Sequence, residues 1–408
     1  MTFEPDRVRL PMAKPVRRVL FYSHDTFGLG HIRRTLTLCN TVATTVDDVS
    51  VLVLSGSSSL PCLRLPTGVD YVKLPCVTKL ADEHYESKFL NLEFDDLRSL
   101  REAIIFSVVA NYGPDLVFVD NVPLGMKGEM RRTLEYLRER RSDTIAVLTF
   151  RDVLDEPNHI ISRWRSQAVY DAIDRFYDHV LVYGMREVFD VVREYQMPER
   201  IAQKVQYAGY IRREPEAGAS TRVRQRLAPH GQKLVLVTVG GGADGYPIVN
   251  SFLTGLAASI GLEWMRTFVV LGPEMPDHLR RDLKARFDHV PGVTFADFCE
   301  DLTAYVAASD AVLSMGGYNT ICEILSLRRP AVIVPRVRPR LEQWIRSSRL
   351  AKLGLVRTVH PSEATPARLV REVVSSLDSK KASLPMPLAF DGLHSLSALL
   401  CTTAAGRS

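Results

Sequence analysis

Nowhere does this chain hold the roughly 18 consecutive apolar residues of a membrane-spanning helix. Its first eighteen residues, MTFEPDRVRLPMAKPVRR, carry charges with no apolar stretch behind them, so no secretory leader is expected. Cysteine is sparse and unpatterned: Cys39, Cys62, Cys76, Cys299, Cys322 and Cys401 include no C-x-x-C pair and no histidine at zinc-finger spacing. A disulfide scaffold and a zinc module are thereby excluded, and six reduced thiols in a cytoplasmic protein are expected. Charge of one sign is also scarce. Lys and Arg total 52 against 47 Asp and Glu, a net +5, and nucleic-acid binders carry a larger and more clustered excess. No nucleic-acid partner is expected. What is present is ordinary for a globular protein: 46% hydrophobic and 24% charged residues. At 408 residues the length suits two or three domains.

Short apolar runs alternate with helical stretches. In the first half the runs lie at 18–23, 49–55, 71–74, 116–120, 145–150 and 180–183. VLVL and LVFV are apolar on both faces, which marks strands covered on both sides, as in a parallel sheet. Helical segments are expected at 31–45, 93–111, 128–140, 160–177 and 187–195. A polar stretch rich in Pro, Gly and Ala at 212–232 reads as a linker. The alternation then restarts, with strands at 234–239, 267–271, 293–295, 311–313, 331–334 and 355–358. Helices between and after them are expected at 247–260, 277–287, 301–308, 319–327, 341–353 and 366–377, and a last one near 393–403. The expected fold class is α/β, with two doubly wound parallel-sheet domains facing a cleft. The domains are residues 1–212 and 213–385, and 386–408 form a helix that packs back on the first domain.

Ligands of such sheets sit beyond the carboxyl ends of the strands. The first such loop, SHDTFGLGH, holds Gly28 and Gly30 before a helix start, and His31 points to the cleft as a general base or a structural cap. His24 and Asp25 are weaker candidates. Arg33 replaces the third glycine of G-x-G-x-x-G, and the second strand ends without an acid, so a nicotinamide site is disfavoured. Asp120 and Asp152 follow buried strands and could orient a base, bind a hydroxyl or cap a helix. Gly240, Gly241 and Gly242 suit a loop whose N–H groups wrap an anion, or a tight turn. No GK[ST] follows, so it is no P-loop. In SMGGYNTICEILS, Gly316 and Gly317 lead into a helix that Asn319 or Thr320 could cap, with Glu323 closing a capping box. Alternatively a diphosphate sits on that helix start while Glu323 grips sugar hydroxyls. The run RVRPRLEQWIRSSR carries Arg336, Arg338, Arg340, Arg346 and Arg349, a solvated surface or a diphosphate contact, with Glu342 and Gln343 within reach.

Ser314, Gly317, Thr320, Glu323 and Pro330 resemble the C-terminal signature of glycosyltransferase family 28, whose fold is GT-B. Gly28, Gly30 and His31 match that family's first glycine-rich loop, Gly240–Gly242 its second-domain loop, and Gln343 its later polar position. The pattern departs at Met315 and Arg328, where the family has Arg and Gly, so a lipid-linked acceptor is not assumed. The resemblance implies an inverting, metal-independent transfer of sugar from a nucleotide diphosphate, uridine favoured, to a small-molecule or glycan acceptor. It places His31 or a neighbouring carboxylate as base, Glu323 on the ribose, and the donor on the Gly240 and Gly316 loops. No cofactor beyond the nucleotide-sugar cosubstrate is expected. The site is cytoplasmic, with attachment to the inner membrane surface left open. A nucleotide-sugar epimerase and a non-catalytic sugar-nucleotide binder are the alternatives on this fold.

Overall fold

The computed structural model describes residues 18–24, 30–58, 60–63, 65–81, 84–378, 388–390 and 392. The strands are β1 (Arg18–Ser23), β2 (Ser50–Ser55), β3 (Val69–Lys73), β4 (Val77–Ala81), β5 (His84–Ser87), β6 (Leu116–Asp120), β7 (Ile145–Arg151), β8 (His179–Tyr183), β9 (Val205–Tyr207), β10 (Lys233–Thr238), β11 (Met265–Val270), β12 (Val293–Ala296), β13 (Ala311–Ser314), β14 (Ala331–Ile333) and β15 (Arg357–Thr358). Seven of them form a parallel sheet in the order β3-β2-β1-β6-β7-β8-β9, and six form a second in the order β12-β11-β10-β13-β14-β15. In both, the chain leaves the middle of the sheet, fills one side and returns to fill the other. This opens a crevice at the strand carboxyl ends, beside β1 and β6 in one sheet and β10 and β13 in the other. The two-sided apolar strands are buried along nearly their whole length, as VLVL and LVFV required. One apolar cluster is continuous through the interface, where Tyr183 and Tyr210 meet Tyr318 and Cys322.

Several elements differ from the sequence reading. The expected helix at 160–177 is two, Pro157–Ser166 and Val169–Phe176, broken where Ala168 turns left-handed at φ 51°. That turn seats Trp164 against both Phe150 and Tyr170. The expected helix at 187–195 shrinks to Val191–Glu194, capped by Asp190. The linker at 212–232 contains a helix, Ala219–Leu227, which buries Ala219 and Val223 and is tied to the second sheet by Arg224 on Asp310 at 2.6 Å. The antiparallel hairpin β4–β5 was not anticipated, because its short runs carry little alternation. Residues 388–390 and Gly392 return to the first domain, where the Tyr210 N–H donates to the Ala389 carbonyl at 2.9 Å. The helix expected near 393–403 lies outside the described residues, as do Asp25 and Gly28.

Candidate functional site

A cavity of about 250 Å³ lies between the two sheets. From the first domain, helix Gly30–Thr45 follows β1 and brings His31 to its wall. His31 Nδ1 lies 2.5 Å from Asp120 Oδ2, at the end of β6. Arg34, one helical turn on, donates to the other carboxylate oxygen at 2.5 Å. Burial would raise the Asp120 pKa, but Arg34 and His31 outweigh it and hold the carboxyl well below its usual range. An ionised Asp120 accepts the Nδ1 proton of His31 and so fixes the tautomer that leaves Nε2 basic. Sequence reasoning missed Arg34, although its i+3 spacing from His31 was legible.

The second domain supplies the opposite wall. Gly240, Gly241 and Gly242 follow β10 and line the cavity, and the tight course of this loop is obligatory. Gly242 has φ 94°, and a Cβ there would lie 2.1 Å from the Leu271 carbonyl oxygen. Gly317, Asn319, Thr320 and Glu323 line it from the start of helix Tyr318–Ser326. A Cβ on Gly317 would meet nothing within 4 Å, so free space lies directly over that helix start. Asn319 Nδ2 donates across the cleft to the Gly30 carbonyl at 3.2 Å, bringing two helix N-termini face to face. Gly316 does not line the cavity. It sits behind the loop against Ile333, and its carbonyl accepts from Arg346 at 3.4 Å.

No capping box forms at Glu323. The helix begins two residues before Thr320, so Glu323 lies too far along to reach back to the first turn. Its Oε1 accepts from Arg213 at 3.3 Å, while Oε2 is buried with no partner. Burial raises the Glu323 pKa, and Arg213 and Arg33 only partly offset this. An unpartnered carboxylate oxygen in a cavity wall is an acceptor awaiting a donor.

The loop RDVLD departs from expectation. Asp152 is not placed as a catalytic group: it is fully buried, forms an ion pair with the fully buried Arg346 at 2.7 Å, and does not line the cavity. Around it, Arg151 pairs with Glu342 at 2.5 Å and Asp155 accepts from the Leu341 N–H at 3.0 Å. The loop after β7 therefore docks on helix Glu342–Lys352 of the other domain. Glu342 also meets Arg336 at 3.6 Å. Although burial opposes it, Arg151 together with Arg346 and Arg336 holds its carboxyl below the usual range. Gln343 Oε1 accepts the Arg336 N–H at 3.0 Å. Both residues still line the cavity. Of the five arginines in that run, only Arg336 lines this cavity, and Arg349 pairs with Glu194 of the first domain. Arg33, Arg34, Arg151 and Arg213, none of them expected, also line it, as do Phe298 and Glu274. His24 stands behind His31, ring edge to face at 6.0 Å, in the wall of a second cavity. Among the described residues no cluster of three or more His, Cys, Asp or Glu could hold a metal ion.

Residues 235–397 match the model of the glycosyltransferase family 28 C-terminal domain. An uncharacterized glycosyltransferase of Methanopyrus kandleri is 26% identical over 194 residues, 47% of this chain and 52% of that protein. The UDP-N-acetylglucosamine–N-acetylmuramyl-(pentapeptide) pyrophosphoryl-undecaprenol N-acetylglucosamine transferase of Methylorubrum populi is 28% identical over 124 residues, 29% of this chain and 34% of that one. The chain thus aligns with only about half, or a third, of the length of these relatives. Among solved structures, MurG of Acinetobacter baumannii superposes with a TM-score of 0.59 at 13% identity, over 95% of this chain and 99% of its own. The UDP-GlcNAc 2-epimerase of Methanocaldococcus jannaschii does so at 0.60 and 10% identity, over 94% and 98%. At such identities these structures show the fold alone, and that fold is GT-B.

Proposed function

From the premise that the second domain of this chain is of the glycosyltransferase family 28 type, we propose that the protein transfers a sugar from a nucleotide diphosphate, a uridine one favoured, to an acceptor hydroxyl. One observation carries this reading: a single cavity has a carboxylate-oriented histidine on one wall and, on the other, two glycine-bearing loops, a helix start and an unpartnered buried carboxylate oxygen. The nucleotide ribose would donate its hydroxyls to Glu323. The diphosphate would lie over Gly317 and the Gly240–Gly242 loop, within reach of Arg336 and Arg213. His31 Nε2 would take the acceptor proton as the acceptor oxygen bonds to the anomeric carbon. The bond from that carbon to the diphosphate oxygen breaks, and the electron pair leaves with the nucleotide. Attack from the face opposite the leaving group inverts the anomeric centre. Backbone N–H groups and arginines would carry the leaving group's charge, so in this reading turnover survives EDTA.

The reaction is placed in the cytoplasm, where nucleotide sugars are made. No described helix is long and apolar enough to cross a membrane. Exposed Phe89, Leu90 and Leu92 beside Lys88 support contact with a membrane surface. The test is a panel of nucleotide sugars scored for released nucleoside diphosphate, with and without cell extract as acceptor source. Acceptor-dependent release that falls at least 100-fold in His31→Ala, with donor affinity kept, is expected. An isomerised sugar formed without acceptor would replace this reading with the epimerase one. No thermal stabilisation by any nucleoside diphosphate would end both.

A further inference from the structure

Two residues of helix Gly30–Thr45 share Asp120. Its Oδ2 meets His31, and its Oδ1 accepts from Arg34 at 2.5 Å. Thr149 reaches Oδ1 only at 3.5 Å, too long to fix the carboxylate. Arg34 therefore sets the plane of Asp120, and through it the imidazole. Its Nη2 also lies 3.1 Å from His31 Nδ1, so any swing of the guanidinium disturbs both members of the pair. Yet Arg34 stands in the wall of the cavity where the diphosphate would lie, on a long stem that an anion draws forward.

What holds it back comes from the other domain. Tyr318 opens the helix whose start lines the donor wall, and its ring centroid is 5.8 Å from Arg34 Cζ. Both side chains are buried. The ring is itself pinned. Its hydroxyl donates to the Tyr183 carbonyl, at the end of β8, at 2.9 Å. Arg346, ion-paired to Asp152, lies 5.6 Å from the same centroid. The next residue, Asn319, makes the bond across the cleft to Gly30 at 3.2 Å. The helix start that faces the donor thus meets the helix that carries the base through two consecutive residues.

We propose that Arg34 is a positioning residue for His31 and that Tyr318 of the second domain seats it, so that the geometry of the base is completed from the donor side of the cleft. The inference rests on the transferase reading for the reaction it serves. In this role Arg34 touches no reacting atom. It holds one oxygen of Asp120 so that the other stays on Nδ1, and Tyr318 keeps it from the diphosphate. The rival role for Arg34 is a donor contact. Losing a donor contact raises donor KM, whereas losing positioning lowers kcat.

Arg34→Met, Tyr318→Leu and the double variant are compared with wild type in the donor panel and by UDP titration. Each single change is expected to lower kcat about 10-fold or more, as misplacement of a catalytic group does. Donor KM and UDP affinity should stay within about 3-fold of wild type. The double variant should fall no further than the slower single one, because the two residues act as a unit. Tyr318→Phe, which keeps the ring, should recover most of what Tyr318→Leu loses, and Arg34→Lys part of what Arg34→Met loses. UDP affinity that falls as far as turnover makes Arg34 a donor contact and overturns the proposal. So do unchanged turnover in both single variants, losses that simply multiply in the double variant, or a Tyr318→Phe as slow as Tyr318→Leu. A readout free of turnover is the imidazole nitrogen resonances of isotope-labelled histidine, with the His31 signal identified by its loss in His31→Ala. Wild type should show the Nδ1–H tautomer and both single variants a mixture, and one pattern common to all three overturns the proposal. If no nucleotide sugar supports transfer, the transferase reading fails, while these resonances still decide how His31 is held.

Discussion

Single side chains here differ in whether a polar atom at the cavity wall is left without a partner or is spent on an ion pair between the two domains. Asp152 and Arg346 are each fully buried and satisfy each other across the domain boundary. Removing one charge strands the other in a medium that solvates it poorly. Asp152→Ala should therefore cost about 3–5 kcal/mol in urea unfolding, and replacing both residues with apolar ones should recover much of it. Glu323 is the opposite case, buried but with one oxygen unspent. Glu323→Ala should lower UDP affinity at least 10-fold while moving the melting temperature by no more than a few degrees, because no helix cap is lost. A large fall in melting temperature with unchanged UDP affinity would return Glu323 to a structural role.

At the scale of elements, the two glycine-bearing loops work for different reasons. The Gly240–Gly242 loop is held by close backbone packing, with the Glu274 N–H donating to the Gly241 carbonyl at 2.7 Å. A methyl group at Gly242 would overlap the Leu271 carbonyl and also require a left-handed residue. Gly242→Ala should destabilise the protein by roughly 2 kcal/mol or more in denaturant melts. Gly317 has an ordinary backbone and open space above it, so Gly317→Ala should leave stability unchanged yet weaken UDP binding. Equal effects of the two substitutions on stability would contradict this division. The loop after β7 and helix Glu342–Lys352 form a third kind of element, a clamp of ion pairs that sets the two sheets against each other.

The whole molecule carries a pH signature set by its interior. Burial, reinforced by His31, pushes the His24 pKa down from 6.5 to about 3. The unfolded chain protonates this ring near its ordinary value, while the folded chain does not. Between those two values the unfolded state binds the extra proton, so stability falls as pH drops below 6.5. One such proton contributes a slope of up to about 1.4 kcal/mol per pH unit. His179, also lowered by burial, adds to the same window. Asp120 acts lower: Arg34 and His31 depress its pKa, so its contribution persists until the pH falls below the ordinary carboxylate value. Urea melts between pH 6.5 and 4 should show a slope that His24→Gln reduces, and an unchanged slope would place the titrating group elsewhere.

The sequence by itself determined the two parallel sheets, because strands apolar on both faces have no other stable home. It also marked loops that line the cavity, since a buried strand running into glycine and then a helix is a local pattern. Gly240–Gly242, Gly317 and Glu323 were legible for that reason, and so was His31. Only the tertiary structure decided which charges are spent. Asp120 and Asp152 both follow buried strands and look alike along the chain. One meets a histidine 89 residues away and the other an arginine 194 residues away, in another domain. Ion pairing over such separations leaves no local trace, because a charge acts through the partner it meets in space and not through its neighbours in the chain.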